Sequence, residues 1–282
     1  MMKNRGIIPI NKPKDWTSFD VVNKLKYKLK PLKVGHLGTL DPMATGVLLV
    51  TVGKATKLFD LMQEKTKTYV AEFEFGYETD TLDLTGKIIN QSNNIPTKEE
   101  VISILPKFIG RINQIPPKFS AKSINGKRAY EMARQNIDFE IKPKVVEIHK
   151  IELISYENGI LKLEIECGSG TYIRSIGRDI AIELETLATM VSLVRTKVGD
   201  FQIEGCVDVQ AIDNIQDVII PIKNVLDVEN LKLTDENKNR LLNGQTIIIN
   251  SKDGVYSLED ESDIIALIKI KENKAKMSFF LG

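Results

Sequence analysis

Gly35-His36-Leu37-Gly38-Thr39-Leu40-Asp41-Pro42-Met43-Ala44-Thr45-Gly46-Val47-Leu48 holds one carboxylate, Asp41, in a short loop built around three glycines and a proline. Glycine permits backbone angles and close approaches that a side chain forbids. Proline fixes its own φ and biases the residue before it toward an extended conformation. The run Val47-Leu48-Leu49-Val50 follows at once and predicts a buried strand. Taken by itself, Leu40-Asp41-Pro42 reads as a surface turn whose aspartate hydrogen-bonds its own backbone.

On the N-terminal side of this loop, Gly6 to Ile10 predicts an apolar strand ended by Asn11-Lys12-Pro13. Thr17 or Ser18 can cap a helix from Phe19 to about Leu29, with Val21, Val22, Leu25 and Leu29 on one side. On the C-terminal side a second helix is expected from about Ala55 to Gln63. Thr66 to Phe75 then alternates, with Tyr69, Ala71, Phe73 and Phe75 sharing a face. Thr79 to Gly86 is polar and turn-like, Asn90 to Asn94 reads as a loop, and Thr97 caps a helix to Leu105. Pro116 to Ala121 excludes regular helix, whereas Arg128 to Arg134 looks helical. Lys144 to Ser155 and Ile160 to Cys167 alternate and are joined at Glu157-Asn158-Gly159, a hairpin signal. Thr171 to Leu184 has helical spacing, and Val191 to Arg195 returns as a strand. Near the end, Leu241 to Gln245, Thr246 to Ile249, Ile264 to Ile270 and Met277 to Leu281 suggest short strands and tight turns. The expected fold is α+β, a large mixed or antiparallel sheet with flanking helices, followed by a small C-terminal β-rich module. The expected domains are residues 1–228 and 229–282.

A chain of 282 residues suits one large domain and a small one. Its 42% hydrophobic and 27% charged residues are those of a soluble globular protein. No apolar run approaches the ~18 residues of a membrane span. Met1 to Ile10 lacks the apolar core and cleavage site of a signal peptide, so a cytoplasmic protein is expected. Cys167 and Cys206 lie far apart and form no zinc pattern with His36 and His149, which leaves two reduced thiols and few ligands for a metallo-hydrolase. The net charge of +1 hides an uneven distribution. Met1 to His36 carries nine Lys/Arg against two Asp, and Lys107 to Arg134 seven against one Glu. Phe201 onward carries fourteen acids against nine bases. Two basic blocks in a neutral chain fit an electropositive face for a polyanion.

The Asp41 run resembles the catalytic motif of the TruB family of tRNA pseudouridine-55 synthases. Ordered blocks of resemblance extend from about Ile8 to Arg195. They include Lys67-Thr68-Tyr69, Gly168-Ser169-Gly170-Thr171-Tyr172-Ile173-Arg174, Leu193-Val194-Arg195-Thr196, and the stretch from Pro116 to Arg134. The resemblance implies that Asp41 is the catalytic residue, by attack at ribose C1′ or by an elimination route through the C2′ proton. It also implies a Tyr69 ring stacked on an extruded uracil with its hydroxyl near C5. Tyr172 and Leu193 would line the base pocket, Arg174 would pair with Asp41, and His36 would wedge into the RNA loop. Lys12 and Lys57 would be phosphate or motif-stabilising contacts. Asp83 would be an acid near the flipped nucleotides or only a turn residue, and Lys122 and Arg128 part of a basic RNA footprint. Many relatives have two arginines where this chain has Val194-Arg195, which puts one RNA or structural contact in doubt. The C-terminal module resembles in position the RNA-binding PUA domain of such enzymes.

Uridine isomerisation breaks N1–C1′ and joins C5 to C1′ without redox change, so no cofactor or metal is expected. The expected partner is the TΨC arm of tRNA, recognised by loop shape and phosphate contacts, with the protein a monomer and no obligate protein partner. RNA-guided relatives keep the chemistry but need partner proteins and longer basic extensions. An RNA chaperone needs the same surface but not Asp41, and that role can accompany catalysis.

Overall fold

The computed structural model describes residues 4–120, 122–124, 126–135 and 137–282, apart from the side chains of Asp60 and Gln63. Met1 to Lys3, Ala121 and Asn125, which belong to stretches read above, lie outside the described residues.

Among the described residues, ten strands form one mixed sheet. From edge to edge its spine runs Val207–Asp208 (β14), Gly6–Lys12 (β1), Thr45–Val52 (β3), Ala188–Val198 (β12), Lys67–Phe75 (β4), Ile160–Cys167 (β11), Lys144–Glu157 (β10) and Gly110–Gln114 (β7). Val34–Leu37 (β2) pairs with β3, and Phe201–Gln202 (β13) with β12. The β1–β14 and β3–β12 pairs are parallel. Tyr77–Thr79 (β5) and Ile88–Gln91 (β6) form a separate hairpin, as do Ser123–Ile124 (β8) and Lys127–Arg128 (β9). The last sheet has the order Ile247–Ile248 (β15), Lys274–Phe280 (β18), Ile264–Lys271 (β17), Gly254–Glu259 (β16). The helices are Ser18–Leu29 (α1), Phe59–Gln63 (α2), Lys98–Ile104 (α3), Ala129–Arg134 (α4), Ile173–Glu183 (α5), Ile215–Val218 (α6) and Asp235–Leu242 (α7).

Side-chain pattern explains the layers. In β4 the buried residues are every second one, because one sheet face packs on α5 and the other is part-covered. β3 reads as an unbroken apolar run because both its faces are covered. Leu48 and Val50 pack with Val21 and Leu25 of α1, while Val47 and Leu49 pack with Leu58, Met62 and the C-terminal Leu267 and Leu281. Thr17 caps α1 in a reciprocal capping box with Asp20, and Thr97 does the same for α3 with Glu100. Asn158 and Gly159 both take positive φ, the two-residue turn that joins β10 to β11.

Four local expectations are corrected. Asn90 and Gln91, read as loop, belong to β6, whose four residues are all exposed and so carry no hydrophobic alternation. Ala55 to Leu58 is 3₁₀ rather than α-helix. Arg128 lies in β9, and the helix begins at Ala129. Leu241 and Leu242, read as strand, close α7, which Thr234 caps.

Candidate active site

The Asp41 loop is fastened before, at and after its carboxylate. Ser18 at the start of α1 accepts from Leu40 N through its hydroxyl at 3.0 Å. The Pro42 carbonyl accepts from Lys12 Nζ at 3.0 Å and from Asp15 N at 2.9 Å. Ala44 N closes the turn on Asp41 O. Leu40, Met43 and Ala44 anchor the loop in the main core. At its end Gly46, φ +105°, lies so close to β12 that a Cβ would sit 2.2 Å from the Arg195 carbonyl.

Arg174, on the first turn of α5, meets Asp41 as a two-pronged fork. Nε lies 3.0 Å from Oδ2, and Nη2 donates to Oδ1 at 3.0 Å. Its other N–H groups face Thr81 O at 2.8 Å, Phe119 O at 3.1 Å and Asp83 Oδ2 at 3.3 Å. Three of these contacts are hydrogen bonds and two are close ion pairs with carboxylates, which compensates a guanidinium held at 7% exposure. Asp83 in turn accepts through Oδ1 from Thr81 Oγ1, Thr85 N and Thr85 Oγ1. Asp83 is thus a buried member of the ion-pair network as well as a turn residue.

Asp41 keeps 30% of its side chain exposed, so one edge is open while the other is gripped. Burial raises its carboxyl above the ordinary value of 3.8, with Asp83 adding and Arg174 opposing. The Asp41 carboxylate accepts from Arg174 Nη2 and is ion-paired with Nε, contacts that favour its ionised form against burial.

Around this pair, Tyr69 on β4 and Leu193 on β12 share the core with Leu40 and Met43. Tyr69 is registered opposite Arg195 and Leu193 opposite Ala71. Burial pushes the Tyr69 hydroxyl above 10.0, with Arg195 opposing, so the phenol is neutral at physiological pH. Tyr172 precedes α5, and its backbone is clamped in both directions by the buried Gln114 amide, at 2.8 and 3.1 Å. His36 on β2 is half-buried; burial first and Arg195 second lower its pKa from 6.5.

The remaining site residues scatter. Lys12 is fully buried and donates to the carbonyls of Pro13, Trp16 and Pro42 at 2.9, 2.5 and 3.0 Å. Of the two roles expected of Lys12, phosphate or motif-stabilising contact, these partners fit the second: Lys12 braces the Asp41 loop, and burial lowers its pKa to about 8. Lys57 follows β3 at the end away from Asp41 and donates to Phe280 O at 3.2 Å. Lys122 donates to Lys142 O, and Arg128 is exposed beyond it, both on the segment that leaves Phe119.

Sequence reading missed Gln114 and the role of Arg195. Arg195 is 2% exposed and donates to Val47 O at 2.7 Å and Gly38 O at 3.2 Å, stapling the two ends of the Asp41 loop. Its signal was present, a charged residue directly after the mostly apolar Val191-Ser192-Leu193-Val194, but its partners are backbone atoms that no motif displays.

Known proteins resemble the chain over most of its length. The family "TruB family pseudouridylate synthase (N terminal domain)" matches residues 24–173. A tRNA pseudouridine synthase B of Mycoplasma mobile is 41% identical over 279 residues, covering 98% of this chain and 94% of the relative. One of Clostridium kluyveri is 40% identical over 269 residues, covering 94% and 89%. Among solved structures, a Cbf5-Nop10-Gar1 complex contains a chain with the same fold at TM-score 0.72 and 22% identity, covering 99% of this chain and 84% of that one. The chain belongs to the TruB family of pseudouridylate synthases.

Proposed function

We propose that the protein isomerises the uridine at position 55 in the TΨC-arm loop of tRNA, acting as a single chain without cofactor. The observation that carries this reading is the Asp41–Arg174 fork, closed on one edge of the carboxylate and open on the other beside Tyr69 and Leu193. Such a site offers an ionised, oriented oxygen to a ribose and an apolar wall to its base. The open carboxylate attacks C1′ or takes the C2′ proton; N1–C1′ breaks, uracil rotates, and C5 joins C1′. The neutral Tyr69 hydroxyl sits beside the uracil and relays the C5 proton rather than abstracting it as a phenolate.

The base must leave its stack to enter, and a neutral His36 can stack in its place. The basic segment from Lys107 to Arg134, which carries Lys122 and Arg128, supports phosphate contacts to the arm. The near full-length relatives named tRNA pseudouridine synthase B support tRNA as the substrate. We divide the chain into a catalytic domain, residues 1–228, and a PUA-like RNA-binding module, residues 229–282. A chaperone alone would leave the Asp41–Arg174–Asp83 arrangement without a task.

Carbodiimide labelling of unmodified tRNA transcripts after incubation, read by reverse-transcription stops, tests the target. A single stop at the T-arm uridine, absent when that uridine is replaced by cytidine, is expected. Stops elsewhere with none in the T arm would remove the proposed specificity.

A further inference from the structure

Helices α1, α3 and α7 each start at a threonine whose side chain accepts a backbone N–H of the first turn. Helix α5, the one that carries Arg174, does not. Its cap position holds Tyr172, whose side chain makes no capping hydrogen bond, and its first turn has no acid. The start of a helix leaves backbone N–H groups without intrahelical partners, and a capping side chain ordinarily fixes where that start lies. For α5 this local fastening is missing, so its start is set from elsewhere in the fold.

The fastening comes from the end of β7. Gln114, its last residue, is 1% exposed and stands opposite Lys144 of β10. Its Oε1 accepts from Tyr172 N at 2.8 Å, and its Nε2 donates to Tyr172 O at 3.1 Å. Tyr172 O has a second donor in Ile176 N at 3.2 Å, so Tyr172 N is the group that most needs Gln114. Beyond β7, Ile115 O accepts from Ser175 Oγ and from Arg178 Nη2, both at 2.9 Å, and Phe119 O accepts from Arg174 Nη2 at 3.1 Å. These later acceptors are main-chain carbonyls, which any sequence supplies. Gln114 is the side chain that selects the place. A buried amide costs stability unless both its groups are bonded, and here both are spent on the backbone of one residue 58 positions away.

We propose that Gln114 is a positioning residue for the isomerisation: by fixing Tyr172 it sets where α5 begins, and so the point from which Arg174 reaches Asp41. This rests on the function proposed above. Arg174 lies two residues after Tyr172, and both of its contacts with Asp41 measure 3.0 Å. A displacement of the helix start by ~1 Å takes them out of hydrogen-bond range. A misplacement of about that size costs on the order of 100-fold in rate. Gln114 is too buried to touch RNA itself, so its effect belongs in kcat rather than in KM.

The test compares the full chain with Gln114→Met, which keeps a side chain of similar length but cannot bond Tyr172. Thr97→Ala, which removes the cap of α3, serves as the comparison for a loss of stability alone. On an unmodified tRNA transcript, Gln114→Met is expected to lower kcat roughly 10- to 100-fold, with KM changed only a few-fold. Asp41 is faced by Arg174 from α5, Asp83 from its turn and Lys12 from β1. With Arg174 displaced, its carboxyl should titrate at higher pH, read by NMR of the isotope-labelled carboxyl carbon. Gln114→Glu keeps an acceptor for Tyr172 N and should restore most of kcat, while Thr97→Ala moves neither kcat nor the Asp41 midpoint. A Gln114→Met protein that loses only melting temperature, as Thr97→Ala does, overturns the proposal. So does a loss confined to KM, which would make Gln114 part of RNA binding. If Gln114→Met does not fold, Gln114→Asn, whose shorter amide falls short of Tyr172, carries the same comparison. Should the wild type isomerise no tRNA uridine, the functional reading fails, while the Asp41 midpoint still judges whether Gln114 positions Arg174.

Discussion

Replacing Arg174 by methionine keeps an unbranched stem, shorter than the native side chain, and removes its charge and all five donors. In the native structure the guanidinium stands 3.0 Å from Asp41 at two points and 3.3 Å from Asp83. Two unit charges centred ~4 Å apart interact by about 4 kcal/mol at an effective dielectric of 20. Asp41 is partly exposed, so solvent recovers some of that and about 2–4 kcal/mol of orientation and charge stabilisation is lost. If that loss is felt at the reacting carboxylate, kcat falls roughly 30- to 1,000-fold. KM for RNA should move by only a few-fold, because Arg174 is buried behind the carboxylate. Arg174 is also the strongest influence holding the Asp41 carboxyl down against burial, so the acid limb of the variant's pH–rate profile moves to higher pH. Arg174→Lys keeps the charge but cannot fork, and should fall between the two. Single-turnover isomerisation at saturating tRNA, from pH 5 to 9, measures all three. A methionine variant that folds and turns over within three-fold of wild type, with an unmoved acid limb, would refute the reasoning.

Three further outcomes follow from the same geometry. Lys12→Met removes the donor that the carbonyls of Pro13, Trp16 and Pro42 share, leaving Pro42 with Asp15 N, and should cost about 1–3 kcal/mol of stability. The salt dependence of its RNA binding should stay unchanged, whereas a phosphate contact would take about one unit from the slope. Gly46→Ala places a methyl 2.2 Å from the Arg195 carbonyl at φ +105°, so a fall in melting temperature and in kcat is expected. An alanine variant as stable and active as wild type contradicts the close approach. His36 binds its proton less readily folded than unfolded, so as pH falls through 6.5 the unfolded chain takes up more protons and stability declines. His36→Gln should flatten that part of the curve of melting temperature against pH, and equal slopes in both proteins would count against a buried neutral imidazole.

The parts of the fold legible in the sequence are those whose cause is local. The Thr17 and Thr97 caps, the period-two burial of β4 and the Asn158-Gly159 turn each follow from neighbours in the chain. What escaped reading is decided across space. β6 is held by β5 through a backbone ladder and the Asn90–Glu78 side-chain bond, and its exposed side chains leave no pattern. Leu241 looks like strand because its apolar neighbours are, yet the Thr234 cap and the packing against Tyr256 make it the end of α7. The site divides the same way. Asp41, Tyr69, Arg174 and Leu193 stand in dense local motifs, and the fold brings them together from β4, β12, α5 and one loop. Arg195 and Gln114 act on backbone atoms of distant segments, and Lys12 turns inward from a position that reads as surface charge.

The proposed chemistry depends above all on Asp41 as the reacting carboxylate, and tritium release from uracil C5 is its decisive assay. Wild type and Asp41→Asn are compared on the same C5-tritiated tRNA, each at RNA concentrations shown to saturate binding. Release by wild type, none above background from Asp41→Asn, and RNA affinities within a few-fold of each other are expected. Release by Asp41→Asn at a rate comparable to wild type would remove Asp41 from the chemistry and contradict the proposed role.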